Sequence, residues 1–260
     1  MVEPVSDAAL AASLVREAGL LASRMRAGDD LEVSRKTSVS DVVSAADTAA
    51  EALVVQRLTA ARPADGIVGE EGASKPSTSG RTWHVDPVDG TYNFVSGIPV
   101  WCSAAALVDD ASGDVLVGTV YHPAQDELWL GGRDLRATCN GDDVPALVDA
   151  PLSQISTVSY IHPATLAEES LRDAWVAVVT GAATVRMLGS GSVELAAVAA
   201  GRLGCWIQHD SLSWDWLPGA ALVRAAGGVT AEVEVGGHLW RAAGPPTAVA
   251  DAVAVLSALA

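Results

Sequence analysis

The chain has 260 residues, half of them hydrophobic and 18% charged, which excludes a disordered polypeptide and supplies enough apolar material for a real core. Acidic residues (32) outnumber basic ones (16) and leave a net charge of -16. This excludes a phosphate-backbone binder built on clustered Lys and Arg, and favours cations as ligands. The three cysteines, Cys102, Cys139 and Cys205, are far apart and form no C-x-x-C, so neither a disulfide framework nor a thiolate metal site is expected, and a cytoplasmic setting is. The N-terminus lacks the basic start and apolar block of a secretion signal, and no apolar run is long enough for a membrane span.

Leu10, Leu14, Ala18, Leu21 and Met25 recur at helical steps, so residues 6–27 are predicted as an amphipathic helix capped at Ser6-Asp7. A strand and loop follow, then a helix over 44–61 that ends before Pro63. Residues 73–81 form a polar loop, and 82–86 a buried strand that breaks into a turn at Pro87 to Gly90. Strands are predicted over 100–108, 114–121 and 126–130, and loops around 140–151. A domain boundary is placed near residue 148, dividing the chain into 1–147 and 148–260. Beyond it, helices are predicted over 164–173, 192–200, 215–226 and 247–259, with strands over 204–208 and 229–235. Mixed elements with largely antiparallel pairing make the class α+β.

The chemistry centres on Asp86-Pro87-Val88-Asp89-Gly90-Thr91. Two carboxylates stand three residues apart where an apolar strand turns, and Pro87 and Gly90 bend the backbone so that side chains and a carbonyl can converge. Hard divalent cations bind such oxygen clusters, although D-P-x-D-G is by itself also an ordinary turn. Glu70, in Gly69-Glu70-Glu71-Gly72, can add a carboxylate or be one of a solvated pair. Asp215 begins a predicted helix and can ligate a cation or simply cap it. Lys36, Asp41, Asp47 and Glu51 lie in a fourth segment that reads equally as a charged helix face.

Together, Glu70-Glu71, W-H-V-D-P-V-D-G-T-Y-N-F (83–94) and W-D followed by A-G-G (214–228) resemble the inositol monophosphatase family, in order and spacing over nearly the whole chain. The resemblance implies a layered α-β-α-β-α sandwich, a homodimer, lithium sensitivity, and hydrolysis of a small phosphate monoester with two or three Mg2+ ions per site. It places Glu70, Asp86, Asp89, Asp215 and the Val88 carbonyl as metal ligands, with Asp86 between metals. Catalysis would use Asp47, Thr91 and Glu70, with Asp47 and Thr91 orienting the attacking water. Gly90 and Thr91 would hold the phosphate by their backbone, with Lys36 nearby and Gly189, Ser190, Gly191 and Gln208 on the substrate side.

Many members carry Glu where this chain has Gln208, seven residues before Asp215; Gln can bond a hydroxyl but brings no charge. His84 stands where the family strand is usually aliphatic and is read as a packing residue, as are most of the eight tryptophans. The substrate expected is inositol monophosphate, with histidinol phosphate as the alternative and fructose 1,6-bisphosphate or 3′-phosphoadenosine nucleotides behind them. A non-catalytic relative of the same fold would have lost part of the metal set, which is intact here.

Overall fold

The computed structural model describes residues 5–28, 33–35 and 42–260. The N-terminal half opens with α1 (Asp7–Arg26), a short β1 (Val33–Arg35) and β2 (Val42–Ser44) pair, and α2 (Ala45–Ala61). An eight-stranded sheet follows: β3 (Gly66–Gly69), β4 (Ser74–Lys75), β5 (Arg81–Asp89), then, after the short helix α3 (Thr91–Ser96), β6 (Cys102–Asp109), β7 (Val115–His122), β8 (Glu127–Gly132), β9 (Leu135–Cys139) and β10 (Asp142–Asp143). Its strand order is β10-β9-β8-β7-β6-β5-β3-β4, antiparallel except for β3 against β5.

The remaining chain forms β11 (Ser156–Val158), α4 (Glu169–Thr180), β12 (Thr184–Arg186), α5 (Gly191–Ala199), β13 (Cys205–His209), α6 (Ser213–Ala225), β14 (Val229–Val235), β15 (His238–Gly244) and α7 (Pro246–Ser257). Its sheet runs β12-β11-β13-β15-β14, with β11 parallel to both neighbours. Three apolar seams build the layers. Leu10, Leu14 and Val54 of α1 and α2 pack on Trp83, Ala105 and Leu107. Leu195, Trp216 and Leu222 of α5 and α6 fill the space between the two sheets. Leu171, Val178, Val249 and Leu256 of α4 and α7 cover the outer face of the smaller sheet. The result is an α-β-α-β-α sandwich.

The helix predicted over 164–173 begins later. A single 3-10 turn occupies Thr165–Ala167, Glu168 is extended, and α4 runs Glu169–Thr180 because Leu171, Ala174 and Val178 face the smaller sheet. Tertiary burial overrides the poor helix propensity of Val178.

At the start of β5 a buried acid organises the sheet end. Asp65 accepts from Trp83 Nε1 (3.0 Å), Ser79 Oγ (2.8 Å) and Arg81 Nη2 (2.9 Å). Asp65→Ala leaves the fully buried Trp83 indole N–H unpaired and Arg81 held by Asp7 alone, and is expected to cost about 3 kcal/mol in urea unfolding. A loss under about 1 kcal/mol would contradict this role.

Candidate active site

β5 delivers the acidic motif. Its pairing with β6 shifts register between Asp86 and Asp89, so the D-P-V-D segment bulges and both aspartates turn toward one cleft. The strand therefore continues to Asp89, past the turn predicted at Pro87. Asp86 Oδ1 accepts from Val88 N (3.0 Å), which fixes the first carboxylate against its own bulge. Gly90 follows with φ 93°, and a Cβ there would stand 3.0 Å from the Gly189 carbonyl oxygen and 3.1 Å from Ser190 Cβ. Only glycine serves at this position, because it meets both the left-handed backbone and the close approach of the facing loop.

Asp215 is the third residue of α6, and its carboxyl accepts from the Leu212 backbone, as a helix-capping acid does. It nevertheless also faces the β5 aspartates: single carboxylate oxygens of Asp86, Asp89 and Asp215 all lie within 4.8 Å of one another. Glu70 joins them, near enough to Asp86 for a hydrogen bond. The Glu70 loop is held from α2, where Glu51 accepts from Glu71 N (2.8 Å) and Ala73 N (2.9 Å). Glu51 is thus a positioning residue, not one member of a charged helix face.

Asp47 sits in the capping box of α2 and accepts from Ser44 N (3.0 Å). Its other oxygen lies 3.0 Å from the Thr91 hydroxyl, which is also 3.0 Å from the Val88 carbonyl oxygen. Asp47, Thr91 and Val88 therefore form one buried polar chain beside the aspartates. Lys36 and Asp41 lie outside the described residues.

The facing loop comes from the second half. Glu194 accepts from Leu188 N (2.8 Å), Gly189 N (3.1 Å) and Trp206 Nε1 (3.2 Å), while Asn93 Nδ2 donates to the Leu188 (2.7 Å) and Val100 (2.8 Å) carbonyls. These two side chains clamp Gly189-Ser190-Gly191 over the motif. Neither was singled out from sequence; Asn93 stands inside the quoted motif, and Glu194 is an acid in an otherwise apolar helix. At the start of α5, Ser192 N donates to Asp89 Oδ2 (2.5 Å). His84, read as a packing residue, instead links β5 to the first residue of α6 through Ser213 Oγ (2.9 Å), and burial lowers its pKa. Trp216 stacks on Trp206 at 5.3 Å and packs beneath Asp215 in the core between the sheets.

The cleft holds about 770 Å³. Glu70, Asp86, Asp89, Thr91 and Asp215 line it together with Ser190 and Gln208 and the less polar Tyr160, Ile161 and Met187.

Electrostatics show what the acids require. Burial raises Asp86 well above the carboxylate range, and the charges of Glu70, Asp89 and Asp215 raise it further. Burial lifts Asp89 to about 6 against opposing bonds from Ser192 and Ser190, and lifts Asp215 to about 8 with help from Asp89 and Glu70. Among the described residues, no ion pair includes Asp86, Asp89 or Asp215. A buried set of acceptor-only groups with mutually repelling charges suits a hard divalent cation. Burial, with the Asp89 and Asp86 charges, pushes the neighbouring Cys102 thiol well above its ordinary value, so it is no thiolate nucleophile.

Among known proteins, the sequence profile described as the Inositol monophosphatase family matches residues 2–255. The "Inositol-1-monophosphatase" of Rhizobium meliloti is 36% identical over 218 residues, covering 80% of this chain and 78% of that protein. The "Histidinol-phosphatase" of Mycobacterium tuberculosis is 34% identical over 233 residues, covering 85% of each chain. The solved structure of the extragenic suppressor protein suhB from Bartonella henselae superposes with a TM-score of 0.84 at 27% identity, covering 95% of this chain and 96% of that one. The chain belongs to the inositol monophosphatase family and is a phosphatase acting on phosphate monoesters.

Proposed function

We propose that the protein hydrolyses inositol monophosphate with Mg2+ held by Glu70, Asp86, Asp89, Asp215 and the Val88 carbonyl. The observation that carries this is the convergence of three carboxylate oxygens within 4.8 Å, beside Glu70, in a cleft where no described cation neutralises the three aspartates. Four carboxylates and a carbonyl offer more oxygens than one octahedral ion needs while it keeps waters, which supports two or three ions. When bound, Mg2+ would neutralise phosphate charge and acidify a water.

The chain's own groups do the rest. Asp47 holds the Thr91 hydroxyl, and this pair orients the attacking water and takes up its proton. The N–H groups of Gly90 and Thr91, at the start of α3, receive phosphate oxygens. Ser190 and Gly191, clamped by Asn93 and Glu194, close the cleft from the opposite side, and Gln208 meets a substrate hydroxyl. Positioning and charge neutralisation are the main requirements of phosphoryl transfer, so no covalent intermediate on the protein is needed.

The halves 1–147 and 148–260 divide this work: the first carries most ligands, the second Asp215 and the substrate wall. The two sheets, which end at Asp143 and begin at Ser156, support that division. Three free cysteines support a cytoplasmic setting, and family membership supports a homodimer and lithium sensitivity.

Histidinol phosphate is the second reading, favoured by the relative of that name. Phosphate release from myo-inositol 1-phosphate and histidinol phosphate, compared with Mg2+ present, separates them. A higher kcat/KM on the inositol ester is expected. The reverse order would make histidinol phosphate the substrate, and turnover of neither would refute both readings.

A further inference from the structure

A second cluster of metal-binding side chains lies outside the cleft and takes no part in the hydrolysis. Side chains alternate along β13: Trp206 and Gln208 face the inter-sheet core and cleft, while Ile207 and His209 face the α4/α7 side. There the His209 ring packs on Trp240 at 5.3 Å. His238, at the start of β15, approaches the same point from the β14–β15 hairpin. Asp210 stands between the two rings: its Oδ2 is 3.2 Å from His209 Nδ1 and 2.6 Å from His238 Nδ1.

The surroundings aim these atoms. Asp210 Oδ1 accepts from Leu239 N (3.0 Å), while Asp210 N donates to the Leu239 carbonyl (2.8 Å), so the carboxylate is fixed with Oδ2 turned toward the rings. His238 Nε2 lies 2.7 Å from Glu168 Oε1. The Glu168 carboxylate on the far ring nitrogen holds Nε2–H, as outer carboxylates do for metal-bound histidines, and a cation entering beside Asp210 would displace the Nδ1 proton that now bridges to Oδ2.

We propose that His209 Nδ1, His238 Nδ1 and Asp210 Oδ2 bind one transition-metal cation of the Zn2+ type, independent of the acidic cluster. Two imidazoles and one carboxylate suit a borderline cation and not the all-oxygen preference of Mg2+ or Ca2+. The three ligand atoms lie within 4.8 Å of one another, and two of their separations are 3.2 and 2.6 Å. Tetrahedral zinc with bonds of about 2.0–2.1 Å separates its ligands by about 3.3 Å, so small side-chain rotations complete the site. A fourth position stays open to water. The metal would tie together the end of β13, the β14–β15 hairpin and, through Glu168, the start of α4. The segment leading to Glu168 includes Tyr160, Ile161 and His162, which line the cleft. The site would therefore brace the substrate wall from behind.

The test is calorimetric titration of Zn2+ into the full chain carrying Asp86→Asn and Asp89→Asn, which disables the acidic cluster. One equivalent should bind, with a Kd of about 1 µM or tighter. Adding His238→Gln should weaken binding at least about 10-fold, and Glu168→Gln should weaken it less. His238 and Glu168 are part-exposed, so both variants should keep the parent circular dichroism spectrum. Cobalt substitution gives a second readout: its visible spectrum should report a four-coordinate site that His209→Asn removes. Absence of Zn2+ binding in the Asp86→Asn/Asp89→Asn chain, or binding that His238→Gln leaves unchanged, would overturn the proposal and leave the cluster a structural ion-pair network.

Discussion

Asp89→Asn is expected to lower kcat for phosphate release by about 10⁴-fold, equivalent to about 5 kcal/mol of lost transition-state stabilisation. Asn matches Asp in shape and keeps an oxygen for the Ser192 N–H, so the bulge of β5 and the start of α5 stay in place. What disappears is one anionic oxygen from the centre of the proposed metal site, where no described side chain can substitute. Meanwhile the metal-free variant should be at least as stable as the parent, because a buried charge has left a set of like charges. Steady-state kinetics and thermal unfolding in chelator check both halves. Retention of full activity would remove Asp89 from the metal site; loss of activity accompanied by unfolding would assign it a structural role.

The second large effect is a pH dependence that Mg2+ should suppress. In the folded metal-free chain, Asp86, Asp89 and Asp215 hold protons more tightly than ordinary carboxyl groups do. Unfolded aspartate titrates near about 3.9. Between that value and the folded values of about 6 for Asp89 and about 8 for Asp215, the folded state binds more protons than the unfolded one. Stability must therefore fall as pH rises through this interval. Asp215 carries most of the loss above pH 5.5, because most of the Asp89 displacement, about 3 kcal/mol in all, is already spent below that pH. Unfolding in chelator should show Tm dropping by roughly 6–10 °C from pH 5.5 to 8.5. With saturating Mg2+ the carboxylates are paired as anions, and the drop should shrink to about 2 °C or less. An equal drop with and without Mg2+ would show that the acids do not meet the metal.

Much of this arrangement was legible in the sequence. The long helices and central strands follow from apolar periodicity and from Pro and Gly stops, the α+β class from their mixture, and the layered sandwich from the family resemblance that three motifs carry. Short elements were not legible. β11 and β12 have three residues each, and their parallel pairing is set by β13 and the covering helices, not by any local pattern. β15 follows a Gly-Gly turn and ends in small residues, so its pairing with β13 and β14 is visible only in three dimensions. α4 begins later than predicted because the face it buries, not its propensity, sets its register.

The site divides in the same way. Asp86 and Asp89 announce themselves by spacing within one turn-forming segment. Asp215 and Glu70 look like a cap and a surface acid until the fold brings them to the same point. Glu51, Asn93 and Glu194 act by hydrogen-bonding the backbone of distant loops, and nothing in linear spacing marks which loops those are.

The most direct test is the rate of phosphate release from myo-inositol 1-phosphate by the unaltered chain, measured with Mg2+ and again after chelation. A metal-held reaction predicts turnover with Mg2+, its loss in chelator and its return when Mg2+ is restored. Turnover that continues undiminished in chelator would contradict the assignment of Glu70, Asp86, Asp89 and Asp215 as the metal-binding heart of the enzyme.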